Sequence, residues 1–181
     1  MSATLVDELV ATLRTNTCAV SDPMGVDDAR AAVVAIIGAS HPTGALVACN
    51  ADVPIPGLTA ALVDRGLEIL VPDDPAWTVR LADAAVGITG AWVAVARPAA
   101  IALAAAPGSP RGTSLVPPDH VCVLRVADVV DTLADAMQTI AAGDLPSALT
   151  WIGGPSRTGD LEMITTLGVH GPRTVEVVLL A

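Results

Sequence analysis

The chain contains no lysine, no phenylalanine and no tyrosine, and each absence removes a class of reading. Without lysine there is no side-chain amine to form a Schiff base, so chemistry of that kind is excluded. All nine basic residues are arginines, set against 19 acidic residues for a net charge of −10. Nucleic acid and anionic membrane are therefore not expected as partners, since both reward a cationic face. An anionic small ligand stays open, because one local arginine outweighs distant charges that salt screens over ~10 Å. Three tryptophans are the whole aromatic content, so the core must be packed from Val, Leu, Ile and Ala. Cysteine is sparse as well. Cys18, Cys49 and Cys122 are odd in number, far apart and in no CxxC spacing, which encodes neither a disulfide framework nor an iron–sulfur or zinc site within one chain. They read as buried thiols of a reducing cytoplasm.

Positive charge is missing where a secretory leader would carry it, since Asp7 and Glu8 stand there, and a cytoplasmic location is expected. A membrane span is also missing. The 19-residue window from Ile88 to Ala106 has a single charge, but Gly90 and Arg97-Pro98 interrupt it. Trp92 to Ala96 and Ala100 to Leu103 read instead as two buried strands.

What is present is an alternation of helical and extended patterns over 181 residues, the length of one domain that buries roughly two thirds of its unfolded surface. Residues 3 to 14 pattern as an amphipathic helix, with Leu5, Leu9, Val10 and Leu13 on one face. A short strand is expected at Thr17 to Val20, a helix opened by Asp27-Asp28 and running to Ile37, and a strand at Ala45 to Cys49. Leu58 to Asp64 reads as a helix closed by Gly66, with a strand at once in Glu68 to Val71. Then come a short helix from Trp77 to Ala82 and a strand from Ala84 to Ile88. The loop at Thr89-Gly90 follows, at the strand end where open α/β sheets bind ligands. Ala105 to Pro118 is an irregular proline-rich loop over that site. Beyond it the pattern predicts a strand at His120 to Leu124, a helix from about Ala127 to Ala142, a strand at Ala148 to Ile152, a short helix from Asp160 to Leu167 and a last strand at Thr174 to Leu180. Strands that are nearly all apolar indicate a sheet covered on both faces. The fold class is α/β, three layers of α/β/α with a largely parallel sheet.

The densest chemical signal is Gly153-Gly154-Pro155-Ser156-Arg157-Thr158-Gly159-Asp160. As a turn from strand to helix it would offer free N–H groups and a helix dipole to an anion. Gly154 permits close approach, Arg157 supplies a donor fork, and the Ser156 and Thr158 hydroxyls add further bonds. The competing reading is a plain helix cap beside a surface arginine. The spacing is neither a Walker A loop nor a dinucleotide GxGxxG. Arg111-Gly112-Thr113-Ser114 is a second arginine and hydroxyl cluster, with Arg111, Thr113 and Ser114 as anion-binding candidates beside Thr89 and Gly90. His170, in a glycine-flanked loop, is the candidate proton carrier; His41 and His120 read as structural. No GxSxG elbow occurs, and three dispersed histidines make no metal site.

Taken together, four segments resemble the LUD domain family, the lactate-utilisation protein C group. They are Gly87-Ile88-Thr89-Gly90-Ala91, the run from Arg111 to His120, Gly154-Pro155-Ser156-Arg157-Thr158-Gly159-Asp160-Leu161-Glu162, and Leu167-Gly168-Val169-His170-Gly171-Pro172. With Gly66 to Pro72, the likeness covers residues 45 to 181, and residues 1 to 44 carry less of it. The resemblance implies a single LUD-type domain related to the sugar-phosphate isomerase and CoA-transferase superfamily, with ligands at the carboxyl edge of the sheet. It also implies a role in oxidising L-lactate to pyruvate beside iron–sulfur partner proteins, with no cofactor in this chain, and it is compatible with self-association. It names a pathway better than a reaction. One departure stands out: Arg97-Pro98-Ala99-Ala100 occupies a hairpin where the family typically has glutamate, threonine, glycine and threonine, and Trp92 stands where the family usually has an acid. Two functions follow from the likeness. One is an accessory or regulatory subunit that binds a small organic anion; the other is an isomerase- or transferase-type enzyme acting on a phosphorylated or acyl-CoA substrate.

Overall fold

The computed structural model describes residues 3–159, 165–168 and 170–181. The first helix, α1 (Ala3–Thr15), buries Leu9 and Leu13 of the expected face together with Val6, and leaves Leu5 and Val10 half-buried. β1 (Ala19–Val20), α2 (Val26–Ser40), β2 (Leu46–Cys49), α3 (Leu58–Asp64) and β3 (Glu68–Leu70) follow. Gly66 closes α3 at φ +87°, the left-handed conformation that favours glycine there. A short helix, α4 (Trp77–Arg80), leads through one 3-10 turn to β4 (Val86–Gly90), so Thr89 and Gly90 are the last residues of the strand and not a loop beyond it.

The apolar window from Ile88 resolves into β4 and an antiparallel pair, β5 (Val93–Arg97) and β6 (Ala100–Ala105). β7 (Asp119–Arg125) comes next. The helix expected from Ala127 begins six residues later. Val126–Asp128 is a single 3-10 turn, β8 (Val129–Thr132) pairs in parallel with β5, and only then does α5 (Leu133–Ala141) start. Thr132 explains the boundary: its hydroxyl accepts the Asp135 N–H, while the Asp135 carboxylate accepts the Thr132 N–H, a reciprocal cap. β-branched Val129 and Val130 were free to extend along β5 instead. β9 (Ala148–Ile152) adds to β6. The helix expected over Asp160 to Leu167 is corrected at its end, where Thr165–Leu167 forms β11 against β10 (Arg157–Gly159) in an antiparallel ribbon; residues 160–164 lie outside the described ones. β12 (Thr174–Leu180) completes the fold.

The central sheet has six strands in the order β1-β12-β7-β4-β2-β3, all parallel. Strand alternation divides its side chains between two cores. On one face Val47, Ile88, Val121, Val123 and Val178 pack against Ala29, Val33 and Ile37 of α2 and Leu58 and Leu62 of α3. On the other, Cys122, Leu124, Val177 and Leu179 meet α1 and the inner residues of a second sheet, Ala94, Ala96, Ile101 and Leu103. That sheet, β8-β5-β6-β9, turns Val93, Val95 and Ala102 outward under Ala136 and Ile140 of α5. Each fully buried Leu or Ile contributes about 1.5–3 kcal/mol by removal from water, which lets a core almost without aromatics hold. The α/β class and largely parallel sheet are as expected, with the small second sheet as an additional layer.

All three cysteines are buried and unpaired. Burial pushes the Cys49 and Cys122 thiols up to about 12 and raises that of Cys18. Among the described residues, no helix is long and apolar enough to cross a membrane.

Candidate functional site

The carboxyl ends of β2 and β4 converge on a single polar cluster. Asn50 follows β2 directly, Asp52 lies two residues on, and Thr89 and Gly90 close β4. Over them sits the 3-10 turn Arg111–Ser114. It can sit there because Gly87 has no side chain: a Cβ at that position would collide with the Thr113 carbonyl oxygen. Gly90 plays the same part for the Asp52 main chain, and its N–H donates to Asp52 Oδ1 at 3.1 Å. Two glycines of β4 therefore fix how closely both loops approach the strand.

Within the cluster, the Thr113 hydroxyl donates to Asn50 Oδ1, and the Ser114 hydroxyl to the Arg111 carbonyl at 3.0 Å. Thr113 and Ser114 are both buried. These hydroxyls, expected to face a ligand, instead hold the turn. Thr89 Oγ1 lies 2.9 Å from Nε2 of His120, which is 1% exposed. Burial lowers the pKa of that ring to about 4, so it is neutral near pH 7, and its Nδ1 has no partner among the described residues. Asp52 is an exposed residue, but its carboxyl turns inward. Desolvation raises its pKa against the opposing pull of the Gly90 amide and the Ser109 hydroxyl.

That leaves Arg111. It is exposed, and its guanidinium has no carboxylate partner among the described residues. It lines a cavity of about 10 Å³ with Asn50, Asp52, Thr89, Ser109 and Ser114, room for about one water. It also lines an adjoining cleft of about 1030 Å³ between the proline-rich loop and the segment before β9. Asn50, Asp52 and Ser109 were not among the sequence-derived candidates. The available signal was Asn50-Ala51-Asp52 directly after an apolar parallel strand, where such sheets place their ligand groups.

The other candidates lie at the opposite edge. Val86 is in register with Asp119 and Asp119 with Thr174. The amino ends of β7 and β12 therefore stand four residues, or ~13 Å, below the level of Gly90. Here Arg157 Nη2 donates to the Asn16 carbonyl at 3.0 Å and to the Thr17 hydroxyl at 2.6 Å. Gly154 lies against the Asn16 carbonyl. Ser156 accepts the His170 N–H at 3.3 Å, and its main chain bonds to Pro172 and Gly168. The His170 side chain is exposed; the side chain of Thr158 lies outside the described set. Arg157–Gly159 is strand β10, so no helix N-terminus begins at Arg157. Nearby, the His41 ring and the Thr174 hydroxyl both bond the Asp119 carboxylate. Arg97, at the end of β5, bridges Glu8 and Asp131. Ala99 approaches Gly153; the hairpin from Arg97 to Ala100 thus joins this edge and not the cluster at Thr89. The structure brings Thr89, Gly90, Arg111, Thr113 and Ser114 together, and Gly154, Ser156, Arg157 and His170 together, as two groups.

The family model described as the LUD domain matches residues 61–180. The chain belongs to the LUD domain family. Among its relatives, lactate utilization protein C of Deinococcus radiodurans is 33% identical over 132 residues, which is 72% of this chain and 60% of that protein. Lactate utilization protein C of an Exiguobacterium species is 37% identical over 100 residues, 52% of this chain and 44% of that protein. The LUD chain thus spans about three fifths of the first relative and less than half of the second. A crystal structure of a DUF162 family protein from Deinococcus radiodurans superposes with a TM-score of 0.73 over 100% of this chain and 99% of that one, at 22% identity. The shared fold therefore extends over α1 to α3, which precede or overlap the start of the LUD match.

Proposed function

We propose that this LUD protein binds a small organic anion at Arg111 and serves as an accessory or regulatory component of a cytoplasmic lactate oxidation system. One observation carries the choice of site. Arg111 stands on a turn whose own hydroxyls and carbonyls are already engaged, at the carboxyl edge of a parallel sheet, with its guanidinium open to a cleft. A solvent-facing guanidinium without a carboxylate partner is suited to a carboxylate. The names of the relatives support the lactate setting. In this reading electron transfer occurs on iron–sulfur partner proteins, while the LUD chain binds an organic anion at Arg111.

Thermal shift of the full chain with lactate, pyruvate and inorganic phosphate tests the binding. An anion-dependent rise that Arg111→Ala removes supports it, and no shift with any of the three overturns it. Co-purification from a lactate-grown host tests the partners: recovery of the tagged chain without iron–sulfur proteins counts against the accessory role. Asp52 favours a second reading. A carboxyl with a raised pKa, beside a strand-end amide and the Thr89–His120 pair, is placed to move protons on a bound substrate. An isomerase or transferase of that kind would turn over a sugar phosphate or an acyl-CoA, and Asp52→Asn would stop it. NMR of such mixtures with the wild-type chain decides.

A further inference from the structure

The Arg111 end occupies only part of the cleft. At about 1030 Å³ the cleft stands at the upper end of the range for pockets that enclose cofactor-sized ligands, and a three-carbon acid fills a small fraction of it. Its walls are chemically graded. Arg111 and Pro110 lie where the cleft joins the small polar cavity, and Trp92, Pro107, Leu145 and Asp144 line the cleft alone. The indole of Trp92 is held in place: it is half-buried against the outer core of the second sheet, and Gly143 is so close that an added Cβ would lie 3.2 Å from the ring. Leu145, which also lines the cleft, is 78% exposed, an apolar side chain left to water.

We propose that this cleft takes an anion that carries a flat ring with N–H or O–H donors, the chemistry of a mononucleotide. The acidic group pairs with Arg111, the ring lies against Trp92 and Leu145, and a ring donor meets Asp144. The proposal rests on the reading of Arg111 as an anion site and adds the rest of the ligand to it. Three features argue for this class over a simple acid. A tryptophan fixed by its surroundings offers a stacking face at little ordering cost. The apolar wall is useless to a ligand the size of lactate. Asp144 disfavours a second negative charge in the cleft and rewards a donor.

Titration of the full chain with AMP, adenosine and inorganic phosphate, read by calorimetry and thermal shift, tests the assignment. AMP should bind at least tenfold more tightly than phosphate, and adenosine more weakly than AMP. Trp92→Leu should weaken AMP about tenfold and leave phosphate unchanged, whereas Arg111→Ala should weaken both. Leu145→Asp covers the case in which Trp92→Leu does not fold, because so exposed a position tolerates substitution. It should weaken AMP more than phosphate. If phosphate binds through Arg111 but AMP gains nothing over it, or if neither Trp92→Leu nor Leu145→Asp affects AMP, this inference is overturned and the simple anion site stands. If no anion binds, both fall. Binding of adenosine equal to that of AMP, and unchanged in Arg111→Ala, overturns the assigned orientation.

Discussion

The two edges of the parallel sheet hold similar residues put to different uses. At the amino edge Arg157 donates to the Asn16 carbonyl and the Thr17 hydroxyl, tying the segment after β9 to the chain between α1 and β1, while Ser156 accepts the His170 N–H and His41 bonds Asp119. At the carboxyl edge Thr113, Ser114, Asn50 and Asp52 also bond inward, yet they do so beneath Arg111 and leave its guanidinium facing the cleft. Donor-rich composition alone does not separate a clasp from a site. What separates Arg157 from Arg111 is where the donors go: those of Arg157 reach Asn16 and Thr17, whereas the Arg111 guanidinium has no carboxylate partner among the described residues.

The sharpest way to break this contrast is Gly87→Ala. A methyl group driven against the Thr113 carbonyl should cost about 3 kcal/mol, as overpacking does at its upper end, and lower the melting temperature by about 6–12 °C. It should also abolish anion binding by unseating Arg111. A stable variant that still binds would show that the turn does not depend on β4. A similar magnitude attaches to His120, which links β7 to Thr89. Its pKa in the fold, about 4, lies below the ~6.5 of the unfolded chain, so the neutral ring stabilises the fold at neutral pH. That stability is present above ~6.5 and is lost as pH falls toward 4, by about 3 kcal/mol in all at 1.36 kcal/mol per unit. Urea unfolding across this window should fall steeply in the wild type and less so in His120→Asn.

Smaller effects test the arginines themselves. Arg111→Ala should weaken anion binding 10- to 100-fold, the effect of losing a charge-assisted hydrogen bond worth ~1.5–3 kcal/mol. It should change stability by no more than ~0.5 kcal/mol, as for a surface position. Arg157→Ala should do the reverse: a loss of about 0.5–1 kcal/mol in stability, from exposed hydrogen bonds to Asn16 and Thr17, with binding unchanged. Equal binding losses in the two variants would erase the distinction between the edges.

How much of this was legible depended on where local signals agreed. The Leu58 to Asp64 helix with Gly66, the strands at Leu46 and Val121, and the pair hidden in the apolar window after Ile88 all followed from period and punctuation. Val129-Val130 misled because an apolar pair next to a helix can be read into it. The decisive residue was Thr132, whose cap with Asp135 restarts the chain. The Gly153 turn was only partly legible, for a different reason. Its glycines and hydroxyls matched an anion cradle, and nothing local reveals that Asn16 and Thr17, some 140 residues earlier in the chain, take up the arginine. Thr89, Gly90 and the Arg111 turn were legible as candidates, but their assembly through Gly87 required the tertiary contact.

The three buried thiols carry a practical consequence. Thiolate is the species that reacts with alkylating agents, and Cys49 and Cys122 are shielded by the sheet and held near 12. Labelling of those two positions must wait for the chain to open. Their modification rate is therefore a clock for global opening, set on both faces of the central sheet, that needs no engineered probe.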